Sequence, residues 1–363
     1  MGLWRMPWHR SIGPIGIDLG ADRPRAMQVR LGSDAPVRSV EAACGAADDI
    51  ARRMTALLPE MRRAGFTGRE VVLGLPRSVA RMQVVRMAAV AGNDAPDAVS
   101  WEASERLGIP HDSIVATSIV TGAQAQSSDT REERIVVGID RREVSGVLEA
   151  LLGAGYEPSL VEPRFASIAR ALSRRTRRDA DVANVRAVLH VDHDGSTVLV
   201  LRGEQIAFCR ELALGGRDLD AAVAARLGVS AEQAAMLRSR RLAASAGHGP
   251  AVDAVAEDSA LVATRATLDM LAGEVALCLR YFNVSFRGGQ VQRVVLAGPH
   301  ALEPRLASTI EECVRIPVAD ASAELPAGLT NSSLASSAMD WCAAFGLATS
   351  VERRAASTGE RAA

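Results

Sequence analysis

The chain has 363 residues, with 42 basic and 43 acidic side chains and 48% hydrophobic residues, a length that suits two domains of ~150 residues each. A net charge of -1 and aromatics at 3% exclude the basic excess of a dedicated nucleic-acid binder and the stacking platform of a single-strand binder. Every basic residue is arginine and lysine is absent, which excludes lysine-based Walker-A loops, pyridoxal Schiff-base chemistry and the kinase lysine.

The N-terminal stretch, residues 1–12, carries Trp4, Trp8, Arg5 and Arg10 without an acid, a composition that suits a membrane surface but reads more plainly as a frayed tail. Residues 15–20 form an apolar strand ending in Asp18-Leu19-Gly20, and residues 26–31 and 37–42 read as two further strands. Residues 48–64 have helical spacing, with Ile50, Met54, Leu57, Leu58 and Met61 on one face. Asp48 and Asp49 suit the start of that helix and Gly65 its end. A buried-type strand at residues 71–75 closes at Pro76.

The pattern then changes. Residues 82–87 predict a strand, 97–107 a helix broken at Gly108, 135–139 a strand and 142–154 a helix, together a β/α module set into the first half. Residues 159–161 and the helix 165–172 return to the parent fold. The charged run 173–181 reads as a solvated crossing rather than a phosphate patch.

After that run the opening recurs. Residues 187–192 form a strand ending in Asp192, Gly195-Ser196-Thr197 a turn, 198–201 a strand, and 206–212 a third strand leading to Gly215-Gly216. The internal repeat speaks to fold before chemistry. Helices follow at 219–227, 231–241 and 261–282, then a strand at 291–297 meeting Gly298-Pro299, a helix at 303–312, a short edge strand at Val318 and a small-residue helix at 333–348. Residues 352–363 read as disordered.

Five scattered cysteines, Cys44, Cys209, Cys278, Cys313 and Cys342, form no CxxC pair, and the histidines do not cluster with them, so neither a zinc site nor a disulfide framework is expected. No apolar run reaches the ~18 residues that span a bilayer. Strand–turn–strand loops with an acid and glycines can wrap a phosphate, because glycine admits close backbone approach and successive N–H groups point at the oxygens. The acid can hold Mg²⁺ through water. Asp18 with Gly20, and Asp192 with Gly195, Ser196 and Thr197, are such loops, and Gly298 supplies a third turn.

Taken in order, these segments resemble the actin/Hsp70-like ATPase fold and, within it, the PilM family of type IV pilus assembly proteins related to FtsA. Gly16-Ile17-Asp18-Leu19-Gly20 with residues 25–29 resembles the first phosphate loop. Residues 71–76, Trp101-Glu102-Ala103, Ile109-Pro110 and Gly155-Tyr156-Glu157-Pro158 resemble the subdomain 1A edge and the inserted subdomain 1C. Gly215 to Leu219, Leu227 to Ser230, residues 294–298 and residues 344–348 resemble the second lobe's motifs. The likeness runs from about Gly13 to Val351.

The resemblance implies an α/β, actin-like (ribonuclease H-like), duplicated two-lobed fold. Its parts would be a tail at 1–12, subdomain 1A at 13–76 and 158–180, inserted subdomain 1C at 77–157, subdomain 2A at 186–216 and 286–351, helical subdomain 2B at 217–285, and a disordered tail at 352–363. It implies ATP and Mg²⁺ as ligands. Asp18, Gly20, Ala21, Arg25, Asp192, Asp194, Gly195, Ser196, Thr197, Gly215, Gly216, Arg238 and Gly298 would be the binding residues, with Asp18 and Asp192 holding the metal through water.

Departures imply weakened or lost binding and inefficient hydrolysis, and so a non-enzymatic protein. Ala21 lacks the usual hydroxyl, Arg25 replaces lysine, and Asp194 adds a carboxylate beside phosphate. Ala235 replaces glutamate, Arg238 replaces lysine, and Pro299 removes an N–H. The resemblance further implies a cytoplasmic scaffold, peripheral at the inner membrane through its partners. It would bind the N-terminal peptide of a PilN-like bitopic membrane protein in a groove lined from residues 71–87 and 135–152, and link to pilus motor ATPases, with no nucleic acid. The alternatives are an active actin/Hsp70-like ATPase, an FtsA-like divisome protein or a type II secretion L-like protein. Residues 352–363, poor in large apolar side chains, disfavour the FtsA-like reading, and the lack of a transmembrane run disfavours the last.

Overall fold

The computed structural model describes residues 12–20, 23–45, 49–88, 95–121, 131–174, 184–245, 254–285, 289–326, 329 and 338–350. The first part runs β1 (Ile15–Asp18), β2 (Arg25–Val29), β3 (Pro36–Glu41), α1 (Ile50–Ala64) and β4 (Glu70–Leu75). An inserted module follows: β5 (Arg81–Ala88), α2 (Ala95–Leu107), β6 (Ile114–Val120), β7 (Arg131–Asp140) and α3 (Arg141–Gly153). β8 (Glu157–Pro163) and α4 (Arg164–Ser173) then complete the first lobe's pattern.

The second part runs β9 (Val185–Val191), β10 (Ser196–Arg202), β11 (Gln205–Leu212), α5 (Gly216–Leu227), α6 (Ala231–Ser245) and α7 (Ala254–Ser285). It closes with β12 (Arg293–Ala297), α8 (Leu306–Val314), β13 (Val318–Asp320) and α9 (Cys342–Ala348).

The repeat is structural. The first sheet has strand order β3-β2-β1-β4-β8 and the second β11-β10-β9-β12-β13. In each, a central strand pairs antiparallel with a hairpin on one side and parallel with a later strand on the other: Ile17 stands opposite Ala26 and Leu73, and Leu189 opposite Val198 and Leu296. β1, β2 and β9 are buried along their whole length, as strands covered on both faces must be. The helix α1 starts where the Asp49 carboxylate accepts the Arg52 N–H at 2.8 Å, and it stops at Gly65, whose φ of 65° is left-handed. The module forms its own antiparallel sheet, β5-β7-β6, and α5 packs on α6 and α7 as a helical cap.

Three local findings differ from the sequence reading. β6 falls in a stretch for which no strand was expected. The expected helix at 303–312 begins only at Leu306, because Arg305 has a φ of 71° and Glu303 is drawn into a buried ion network. The expected helix at 333–348 has residues 331–337 outside the described part, and Ala338–Trp341 is a 3-10 turn before α9.

The packing of α9 also departs from its grouping with the second lobe. It lies on β1, β2, β4 and α4. Glycines make this contact possible: a Cβ on Gly16 would stand 2.5 Å from Ala344 O, and one on Gly346 would stand 1.9 Å from Ser167 O. Ala21, the N-terminal tryptophans, residues 175–183 and residues 352–363 lie outside the described residues.

Candidate functional site

The two central strands end at the gap between the sheets. Asp18 closes β1, and Asp192 follows β9. The first residue of α4, Arg164, enters between them. Its Nε lies 2.6 Å from Asp18 Oδ1, its Nη2 donates to Asp18 Oδ2 at 3.0 Å, and its Nη1 donates to Asp192 Oδ2. A cation at a helix N-terminus opposes the helix dipole, and α4 has no side-chain cap; the two carboxylates offset that cost.

Burial pushes the Asp18 carboxyl above its ordinary range, against the pull of Arg164. At Asp192 burial acts in the same sense, but Arg164, His190 and the His193 N–H together hold the carboxyl below its ordinary range. Arg164 itself, despite burial, is held charged by the two acids. His190, buried beside that guanidinium, is driven down to about 3 and is neutral.

Further residues narrow the gap. Arg77 donates to Leu212 O, and its guanidinium occupies the space beside Gly195, where any Cβ would collide with it. The free volume left between Arg77, Arg164, His190, Asp192, Thr197 and Glu211 is about 20 Å³, room for roughly one water. Glu211, buried there, is pushed up to about 7 in spite of Arg77.

The remaining sequence-selected residues fall in two groups. Gly20, Arg25, Gly195, Ser196, Thr197 and Gly215 surround the Asp18–Asp192 gap, though not all are free to serve it. Arg25 Nε pairs with Glu41 at 3.3 Å, and Ser196 Oγ donates to Leu214 O at 2.7 Å. Asp194 is half-buried in the turn. Gly215 N–H donates to Asp218 at 2.9 Å, and Gly216 N–H to Asp192 O at 2.8 Å.

Arg238 lies in a second cluster, under the helical cap. It donates to Asp220 at 2.6 Å, Glu303 at 2.8 Å and Gly216 O at 2.9 Å, while Arg241 also donates to Glu303. Gly298, with a φ of 95°, presses on the Val191 backbone and His190 rather than on open space, and His300 fills the space over Gly216.

Sequence reasoning missed Arg164, Arg77, Glu211 and Glu303. The available signal was the Pro163-Arg164 step, a cation in the position where a helix start favours an acid or a hydroxyl.

Nucleotide with Mg²⁺ is the ligand the fold family implies, and these residues do not fit it. Both metal-ligand candidates are already neutralised by Arg164, and Arg238 is consumed by internal acids. Among the described residues no group of three or more His, Cys, Asp or Glu is placed to hold a metal, and no helix is long and apolar enough to cross a membrane.

Comparison with known proteins gives one fold. Among solved structures, the PilM-PilN type IV pilus biogenesis complex matches with a TM-score of 0.75 and 19% identity, over 93% of this chain and 98% of that one. The ethanolamine utilization protein EutJ from Carboxydothermus hydrogenoformans matches with a TM-score of 0.55 and 12% identity, over 94% of this chain and 91% of that one. Ta0583, an archaeal actin homolog, matches with a TM-score of 0.50 and 11% identity, over 94% of this chain and 99% of that one. Identities this low speak to architecture, which is the actin-like fold that the sequence resemblance implied. No curated protein matches the chain. The family model for type IV pilus assembly protein PilM matches residues 40–351. Since that span takes in the inserted module, the second sheet and the returning helix α9 alike, the chain belongs to the PilM family of type IV pilus assembly proteins.

Proposed function

We propose that this chain is a non-catalytic scaffold of type IV pilus biogenesis. It docks the N-terminal peptide of a PilN-like bitopic membrane protein at the cytoplasmic face of the inner membrane and links it to the pilus motor ATPases. The observation that carries the reading is the match, over nearly the whole of both chains, to a structure described as a PilM-PilN complex, together with membership of the PilM family. The subdomain limits implied by the sequence go with this reading: the 1A and 1C parts would supply the docking groove.

The surface is narrower than the sequence suggested. Val71, Val72, Leu73 and Leu75 are core residues of the first sheet and offer nothing to a ligand. Leu152 on α3 is exposed, and Leu148, one turn earlier, is half-buried. Two neighbouring apolar side chains on one exposed helix face suit contact with a peptide.

The Arg164 bridge supports the non-catalytic part of the reading, since it leaves neither Asp18 nor Asp192 free to hold a metal or orient water. Calorimetric titration with a synthetic cytoplasmic PilN peptide tests the docking: saturable binding that Leu152→Asp weakens is expected, and no heat up to high micromolar peptide overturns it. Mg²⁺-dependent ATP turnover abolished by Asp192→Asn would overturn the non-catalytic reading.

A further inference from the structure

The outer face of α7 carries a largely exposed apolar stripe, in which Tyr281 also lies against Phe208 with ring centroids 6.0 Å apart. Val255, Val262, Met270, Leu277, Tyr281 and Val284 are each between 51% and 87% exposed. With Ser259, Ala266 and Gly273 they recur every three or four residues, so all nine fall within one arc of a straight helix. The stripe runs for roughly 40 Å at 1.5 Å per residue, a length and continuity that mark an interaction surface.

Gly273 sits mid-helix, where glycine is unfavourable relative to alanine. No neighbour within the chain requires it, since a Cβ there would meet nothing within 4 Å. A glycine on an exposed helical seam allows another backbone to approach closely.

We propose that this face is the contact between two copies of the chain, paired antiparallel about a two-fold axis passing between Asp269 and Met270. Such an isologous contact requires the surface to complement itself, and the stripe does. Val255 comes level with the partner copy's equivalent of Val284, and Val262 with that of Leu277. Small Ser259 faces large Tyr281, Ala266 faces Gly273 at the closest approach, and Met270 meets its own counterpart. Ser259 leaves room for the bulk of Tyr281, and the Ala266–Gly273 pair lets the two backbones approach near the axis.

Charge favours this direction as well. In an antiparallel two-fold pair each flank meets its own copy. The flank bearing Asp258, Arg265, Asp269 and Arg280 places Asp258 level with Arg280 at both ends. At the centre each Asp269, already 3.9 Å from Arg265 of its own helix, comes near the second Arg265 as well. A parallel pair loses the Asp258–Arg280 match.

Sedimentation equilibrium of the full chain up to about 100 µM tests the proposal. A reversible dimer is expected. Asp258→Arg and Arg280→Asp should each weaken it about tenfold through two like-charge contacts, and the double reversal should restore it to within about threefold. Oxidation of a Met270→Cys chain should link two copies beyond the level of the parent with its own five cysteines. A chain that stays monomeric throughout, a double reversal no better than the singles, or efficient self-linking of Val255→Cys in place of Met270→Cys would each overturn the arrangement.

Discussion

Arg164 touches Asp18 and Asp192 at once, so one guanidinium joins the ends of the two central strands of the repeat. Removing one partner of a buried ion pair costs about 3–5 kcal/mol, because the other charge is left unpaired. Arg164→Ala should therefore lower unfolding stability by about that amount in urea titration. It should also create what the native chain lacks, two facing carboxylates without a cation. Mg²⁺ is expected to raise the melting temperature of Arg164→Ala and leave the native chain unchanged. Equal responses would show that the bridge does not occupy the cation's place.

The gap also sets a pH dependence. Glu211 titrates at about 7 in the folded chain against an ordinary 4.5. Between those values the unfolded chain releases the proton first, so stability falls as pH rises, by at most about 3 kcal/mol. His190 is held at about 3 against 6.5, so over that window the unfolded chain takes up the proton and stability falls as pH drops. The two slopes oppose each other between pH 4.5 and 6.5. Stability should thus decline below the lower of these limits and again above the higher, and Glu211→Gln should remove the alkaline decline in a pH series of melting curves.

Under the helical cap, Glu303 neutralises both Arg238 and Arg241, and all three are almost wholly buried. Glu303→Ala leaves two buried arginines short of a counter-charge, although Asp220 still serves Arg238. A loss of about 3–5 kcal/mol is expected, with Glu303→Gln milder because it keeps acceptor geometry. Chemical denaturation of the two variants side by side reads the difference.

Gly346→Ala offers a purely steric test. The added methyl would stand 1.9 Å from Ser167 O, backbone that cannot yield without moving α4. Overpacking of this kind typically costs 1–3 kcal/mol, so a variant with native stability in urea would contradict the close packing of α9 on α4.

Much of the fold was legible because its signals are local. The runs at Ile15–Asp18 and Val185–Val191 are mostly apolar, and each meets an aspartate at the same point of the repeat. The helix at Ile50–Ala64 announces both ends through Asp49 and Gly65. β6 was missed because its exposed positions include Val115 and Val120, so burial does not follow an apolar/polar alternation.

The candidate site was half legible. Asp18 and Asp192 stood out by their turns. Arg164 did not, since its importance arises only when β1, β8 and β9 end at one place, and Asp18 is 146 residues away. The residues that fill the gap are visible only in three dimensions, whereas the glycines around it are readable in order.

The return of α9 onto β1 and β4 bears on how the chain matures during synthesis. The strands of the first sheet emerge before the helix that covers them, which follows the whole of the second sheet in the chain. Until then that apolar face lies bare, a circumstance that invites chaperone capture. Folding of the amino-terminal half is thereby made to wait for the carboxyl-terminal one.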